Sequence, residues 1–165
     1  MVKANPRVCA HYESPLGTML LAASDQGVVG VWFLGQRHGP DSSGWREDPQ
    51  HPVLREAITQ LAAYYAGERS GFDLPLDLQA GTAFQQSVWD ALRRIPRGGT
   101  TSYAELARRL GKPQAARAIG AAVGRNPVSI VVPCHRVLGT DGTLTGYAGG
   151  LERKTALLRL EGALM

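Results

Sequence analysis

The chain has 165 residues, 44% of them hydrophobic and 19% charged: room for one ordinary domain or two small ones, and too little charge for a disordered chain. The apolar run 19–23 is far too short to span a bilayer and no signal-like segment opens the sequence, so a soluble, cytoplasmic protein is expected, nucleoid-associated if bacterial. The net charge of +4 is uneven: residues 1–80 carry 6 Lys/Arg against 9 Asp/Glu, and residues 81–165 carry 12 against 5. That asymmetry points the second half at a polyanion, with a merely solvated basic surface equally open.

In chain order, the runs 19–24 and 28–33 are apolar and β-compatible, and Asp25-Gln26-Gly27 between them reads as a hairpin turn. Residues 35–52 are polar and rich in Gly, Pro and Ser, the composition of a mobile loop. Leu54, Ile58, Leu61 and Tyr65 then recur at helical spacing until Gly67. A short extended segment, 72–78, leads to Gln79-Ala80-Gly81, where a domain boundary is expected.

The second half is mostly helical. Phe84, Val88, Leu92 and Ile95 mark an amphipathic helix closed by Pro96 and Gly98-Gly99. Ser102, with Glu105 three residues on, has the pattern of a capping box, opening a helix with Tyr103, Leu106, Ala107 and Leu110 on one face. Gly111-Lys112-Pro113 stops it. Residues 114–123 form a small Ala-rich helix with Arg117 outward and Ile119 and Val123 inward. Two short helices about a tight Gly-containing turn have the form of a helix-turn-helix. Ala115, Ala116, Ala118, Gly120 and Ala121 make the second helix thin enough to enter a nucleic-acid groove, or to pack closely on another helix. Asn126-Pro127 makes a turn, 128–132 reads as a buried strand, a Gly-rich loop covers 139–150, and a last helix over 151–161 ends at Gly162. These elements give an α/β (α+β) fold in two parts: a small N-terminal β-sheet-plus-helix domain over 1–80, and a mainly helical C-terminal domain over 81–165.

The cysteines, Cys9 and Cys134, are too few for a disulfide framework, although a single bridge between them remains open. Cys9 and His11 lie close together without a second ligand pair, so no metal site is expected. Cys134 carries the chemistry. A thiol attacks as thiolate, and a free one has a pKa of about 8.5, so it needs a base or a positive field. His135 is adjacent, yet neighbouring side chains on an extended backbone point apart, which makes a water the natural proton carrier between them. Glu161 on the terminal helix is placed to orient the imidazole, completing a nucleophile, a base and an orienting acid. A buried, inert Cys134 is the competing reading of the residues alone.

The segment Val132-Pro133-Cys134-His135-Arg136-Val137-Leu138 resembles the active-site signature of the O6-alkylguanine-DNA alkyltransferases, the methylated-DNA–protein-cysteine methyltransferases. Gly-Thr-x-Phe-Gln-x-x-Val-Trp at 81–89, Ser102-Tyr103, the segments 115–120, 125–127 and 145–150, and Leu160-Glu161-Gly162 fit the same family in order. In the first half the likeness is weaker and runs through 14–17.

The resemblance implies a ribonuclease H-like support domain over 1–80, a DNA-binding, alkyl-accepting domain over 81–165, and no cofactor. Cys134 would attack the carbon on guanine O6, and Asn126, His135 and Glu161, with a water, would draw off the thiol proton. Tyr103 would protonate the departing guanine and help rotate the nucleotide out, while Arg117 fills the space it leaves. The helix carrying Ala115 and Ala116 would enter the minor groove of double-stranded DNA, with Gln85, Lys112 and Thr140 on phosphate or sugar. Val137, Tyr147 and Ala148 would line the base pocket. The implied reaction is a single in-line displacement giving a thioether, once per protein, on O6-alkylguanine and also O4-alkylthymine. A monomer in solution is expected, with cooperative clustering on DNA left open by the sequence. Some relatives hold zinc in the first half, but Ser24 and Val29 stand where those have Cys and His, so none is expected. Alkyltransferase-like relatives carry tryptophan in place of Cys134. Two other functions compete: a Cys-His-Glu hydrolase that turns over, and a helix-turn-helix DNA-binding protein with an inert cysteine.

Overall fold

The computed structural model describes residues 7–139 and 141–164. It opens on a four-stranded sheet of order β3-β2-β1-β4, in which β1 (Val8–Ser14), β2 (Gly17–Ser24) and β3 (Gly27–Phe33) run antiparallel and β4 (Arg46–Glu47) joins β1 in parallel. The hairpin expected about residues 25–27 is β2–β3, with Ser24 opposite Gly27. β1 is not evident in the sequence, because His11 and Glu13 interrupt the apolar residues Val8, Ala10 and Tyr12 that face the core. Alternation of that kind is what a half-buried strand needs.

The segment 35–52 departs from the expected mobile loop. It contains β4, and Trp45 packs on Trp32 with ring centroids 5.7 Å apart. Together with Cys9, Leu20, Ala22 and Val29 these tryptophans seal the second face of the sheet. A single aromatic anchor is enough to order a segment whose composition is otherwise that of a loop.

Helix α1 (Pro52–Tyr65) starts with proline in its first turn, where the missing N–H costs nothing, and buries Leu54, Ala57, Leu61 and Tyr64 against the first face. Fully burying each of the two leucines contributes on the order of 1.5–3 kcal/mol. The extended segment 72–78 is tied to β3 by Val28 N–H donating to Pro75 O and Asp77 N–H to Val28 O, both at 2.8 Å.

In the second half, α2 (Ala83–Leu92) is opened by a full capping box between Thr82 and Gln85. Helix α3 (Tyr103–Arg109) has half of one: Ser102 accepts from Glu105 N–H, while the Glu105 carboxylate pairs with Arg108 and Arg109 instead. Helix α4 (Ala116–Gly124) packs on both, with Trp89 Nε1–H donating to Ala122 O at 2.8 Å. Strands β5 (Thr101–Ser102) and β6 (Val137–Leu138) form a short parallel pair, and α5 (Leu151–Leu160) closes the chain.

The run 128–132 is not the strand its composition suggests. Val128 bridges to Val31 of β3, and the chain then reverses at Ile130, whose φ of 72° is a left-handed conformation rare for a β-branched residue. Val31 N–H donates to Pro127 O and Ser129 N–H to Val31 O, at 2.8 and 2.9 Å. The apolar side chains are buried by a turn rather than by a ladder. That turn hangs the segment leading to Cys134 from the N-terminal sheet, and one continuous core links the two halves.

Candidate active site

Cys134, His135 and Arg136 form a single 3-10 turn after Pro133, so the backbone here is not extended. Tight winding sends consecutive side chains in different directions. Cys134 has 6% of its surface exposed and lines a cavity of 320 Å³. Tyr103 of α3, Gly120 and Ala121 of α4, and Tyr147 and Ala148 of the following loop complete much of its wall. The volume lies at the small end of ligand pockets, which run from about 300 to 1,000 Å³. Glycine and alanine on α4 leave the space open, the role that small residues can play besides close packing.

The two residues that follow the cysteine belong to a buried polar network. His135 Nε2 lies 2.7 Å from Glu161 Oε2, and both side chains are fully buried. Arg136 grips the same carboxylate twice, Nε to Oε1 at 2.8 Å and Nη2 to Oε2 at 2.9 Å, and its Nη1 donates to Ile95 O at 2.5 Å. Tyr64 OH adds a fourth hydrogen bond to Glu161 at 2.5 Å. Burial alone would raise the Glu161 carboxyl, but the hydrogen bonds from His135 and Arg136 outweigh it and hold the pKa down at about 2. Burial lowers the pKa of His135 in spite of Glu161, so its resting form is the neutral imidazole. With a permanent carboxylate on Nε2, the proton of that neutral ring sits on Nε2 and Nδ1 is left as the acceptor. Nδ1 is buried and has no hydrogen-bond partner among the described residues.

Burial likewise raises the Cys134 thiol, against the smaller opposing effects of the Asn126 amide and the Lys154 charge. The Asn126 carboxamide is engaged with the backbone, donating to Val132 O at 2.7 Å and accepting from Val128 N–H at 2.9 Å, so it fixes the turn that delivers the cysteine. Lys154 is fully buried on α5, and its ammonium donates to Val137 O, Thr145 O and Gly146 O, stapling the loop over the cavity to β6. Desolvation pulls its pKa down to about 8. Burial raises the Tyr103 phenol, which therefore keeps its proton at neutral pH.

The other expected residues divide. Tyr147 and Ala148 line the cavity, whereas Val137 does not: it is fully buried in the core, and its carbonyl serves Lys154. Side chains alternate between the two faces along a strand, and Val137 takes the face of β6 that joins the main apolar core. Ala115 is the N-cap residue of α4 and Ala116 its first residue; Arg117 is exposed, one turn before Gly120 and Ala121. Lys112 is exposed, with its ammonium 5.1 Å from the centre of the Phe84 ring. Gln85 sits in the first turn of α2, its Oε1 occupied by Thr82 N–H. Thr140 lies outside the described residues.

Tyr64, Arg136 and Lys154 were missed as site residues, although Arg136 stands inside the recognised heptapeptide and Lys154 is a lone cation on the inward face of α5. Arg37 and His38, on the cavity wall, come from the N-terminal half. Both cysteines are free, which removes the Cys9–Cys134 bridge. Of the two positions considered for zinc, Val29 is buried and apolar and Ser24 hydrogen-bonds Asp77 at 2.6 Å, so this pair does not fit a zinc ion.

A thin helix-turn-helix beside a buried cysteine with a wired histidine defines a DNA-handling protein whose own thiol is the reactive group. Comparison with known proteins is specific. Residues 83–163 match the 6-O-methylguanine DNA methyltransferase, DNA binding domain, and residues 8–78 the ribonuclease-like domain of the same methyltransferases. A methylated-DNA–protein-cysteine methyltransferase of Mycolicibacterium paratuberculosis is 50% identical over 149 residues, covering 90% of this chain and 88% of its own. One from Methanosarcina acetivorans is 48% identical over 155 residues, covering 93% and 97%. The crystal structure of Mycobacterium tuberculosis OGT in complex with DNA superposes with a TM-score of 0.87 at 47% identity, covering 94% of this chain and 93% of that one. The chain belongs to the 6-O-methylguanine DNA methyltransferase family.

Proposed function

We propose that this chain repairs DNA by direct reversal, moving a methyl or larger alkyl group from O6-alkylguanine, and from O4-alkylthymine, onto Cys134. The observation that carries the reading is that Cys134 lines a cavity while the next residue, His135, is anchored to Glu161 with its buried Nδ1 left without a partner among the described residues. A water carries the thiol proton to Nδ1, and the imidazolium is balanced by Glu161. Sulfur then forms a bond to the alkyl carbon as the carbon–oxygen bond breaks. Tyr103 protonates the departing guanine, and the imidazolium proton restores the phenol through solvent. A thioether has no leaving group that a base in this site could expel, so each molecule acts once.

The lesion must leave the duplex to reach a cysteine this deeply set, and extrusion costs on the order of a few kcal/mol. Arg117, exposed on α4, fills the vacated stack from the minor groove, and Gln85, Lys112 and Thr140 hold phosphate or sugar. Asn126 positions the acceptor turn and contributes to its electrostatics. We assign residues 1–80 to support and 81–165 to DNA binding and alkyl acceptance, in a protein that is monomeric in solution. A cytoplasmic location suits two free cysteines, since the acceptor works only as a reduced thiol.

The test is incubation with an oligonucleotide bearing one O6-methylguanine, followed by intact mass. One methyl group gained on Cys134, and none in Cys134→Ser, is the expected result. No gain overturns the reading, and repeated product release on an ester or amide supports the hydrolase instead.

A further inference from the structure

The cavity over Cys134 has a neighbour. A groove of 540 Å³ runs between the two halves of the molecule, with Trp32, Asp77, Gln85 and Trp89 on its walls. His38 and Arg125 line both spaces. Arg125 follows α4, whereas His38 belongs to the strap that leaves β3, and the strap is fixed. Arg37 N–H donates to Ala148 O at 2.9 Å, so the N-terminal half is pinned to the cavity wall itself. Phe33 N–H donates to Gln36 Oε1 at 2.9 Å, closing the turn before it. His38 itself is exposed, with φ of 60°, a left-handed conformation that histidine adopts more readily than most non-glycine residues.

The reaction gives this position a consequence. In an in-line displacement sulfur, carbon and oxygen lie on one axis, and the other three substituents of the carbon spread across it. A methyl group has only hydrogens there. A longer alkyl group must send its chain sideways, into space already shared with the guanine ring.

We propose that His38 is a specificity-determining residue, the divider that sets the upper size of the alkyl group by closing the lesion cavity from the interdomain groove. The groove is the space a long O6 substituent enters when the divider is removed. This rests on Cys134 being the acceptor. The bond made and the bond broken are those of the methyl reaction; only the room around the carbon changes.

The experiment compares single-turnover transfer from duplexes carrying O6-methylguanine or O6-hexylguanine, read by intact mass. His38→Gly removes the side chain and keeps the left-handed backbone, which glycine adopts freely. His38→Trp enlarges the divider. The ratio of hexyl to methyl rate is expected to rise by about tenfold or more in the first variant and to fall in the second, the scale on which pocket size discriminates substrates. Thermal unfolding of both variants checks that each is folded. A ratio that moves by less than about threefold in His38→Gly, or in the same direction in both variants, overturns the proposal. Absence of methyl gain on wild-type Cys134 takes down the acceptor assignment and the divider together, whereas normal wild-type gain with an unmoved ratio takes down the divider alone.

Discussion

Replacing Glu161 by glutamine tests the buried network of His135 and Arg136. The carboxylate accepts from His135, from Tyr64 and twice from Arg136. Glu161→Gln keeps the shape, removes the charge and turns one acceptor into an NH2 group facing other donors. The magnitude follows by two routes. A carboxyl held at about 2 against an ordinary value of 4.5 corresponds to about 3 kcal/mol of folded-state stability at neutral pH. Leaving the Arg136 guanidinium buried beside a neutral amide is a broken buried pair, which costs about 3–5 kcal/mol. Both place the loss near 3 kcal/mol.

The pH dependence has a definite sign. The folded pKa of Glu161 is depressed, so its contribution is complete above about 4.5 and disappears as pH falls through about 2. Urea unfolding should therefore show the largest gap between wild type and Glu161→Gln near neutrality, closing progressively in acid. Methyl transfer should slow by roughly 10²- to 10⁴-fold, because the imidazole loses the acceptor that fixes its Nε2 proton and leaves Nδ1 as base. A variant with the wild-type urea midpoint at pH 7, or a gap that widens as pH falls, would refute the reasoning.

Tyr64→Phe removes one charge-assisted hydrogen bond to the same carboxylate and should cost about 1.5–3 kcal/mol in urea unfolding, with a smaller rate loss than Glu161→Gln. Lys154 loses its charge at about 8 when folded but near 10.5 when unfolded, so wild-type stability should rise with pH across that interval. Lys154→Met should lack that rise, and a rise retained in the variant would assign it elsewhere. Arg117→Ala should lower the rate on duplex DNA far more than the rate with free O6-benzylguanine base. Equal losses on the two substrates would deny Arg117 its place in the stack.

Local signals were legible in the sequence and distant partnerships were not. The β2–β3 hairpin, α1 and the helix-turn-helix follow from periodicity and turn chemistry that act within a few residues. So does the inward face of α4, where Ile119 and Val123 are buried and Arg117 is exposed. Helix α1 shows where such reasoning slips. Tyr65 fits the apolar spacing, yet Tyr64 is the fully buried residue, because its hydroxyl finds Glu161 at the far end of the chain. Arg136 stands in the signature heptapeptide, but its role is not legible there, since the carboxylate that explains it lies on another element. The strand expected over 128–132 fails for the same cause: a run of apolar residues says that it is buried, but not whether a ladder or a turn does the burying. The strap bearing Arg37 and His38 reads as polar loop until Trp45 and Ala148 are seen to hold it.

The geometry also accounts for how a single-use thiol survives until its substrate arrives. A standing thiolate would react with any passing electrophile or oxidant, and each such event would inactivate one molecule. Burial prevents this by raising the Cys134 thiol and lowering the His135 imidazole, so the resting pair is neutral on both sides. In the proposed reaction, proton transfer to His135 then creates a buried ion pair, which the low dielectric penalises unless something compensates. Glu161, held ionised far into acid by its hydrogen bonds from His135 and Arg136, would compensate the imidazolium. The thiolate is compensated only in part by Lys154 and Asn126, and its remaining charge is best relieved by forming the bond to the alkyl carbon. Reactivity therefore depends on the lesion occupying the cavity. A polar group introduced beside the sulfur to hold a permanent thiolate should raise its reactivity toward small thiol reagents and shorten the working life of the protein in oxidant.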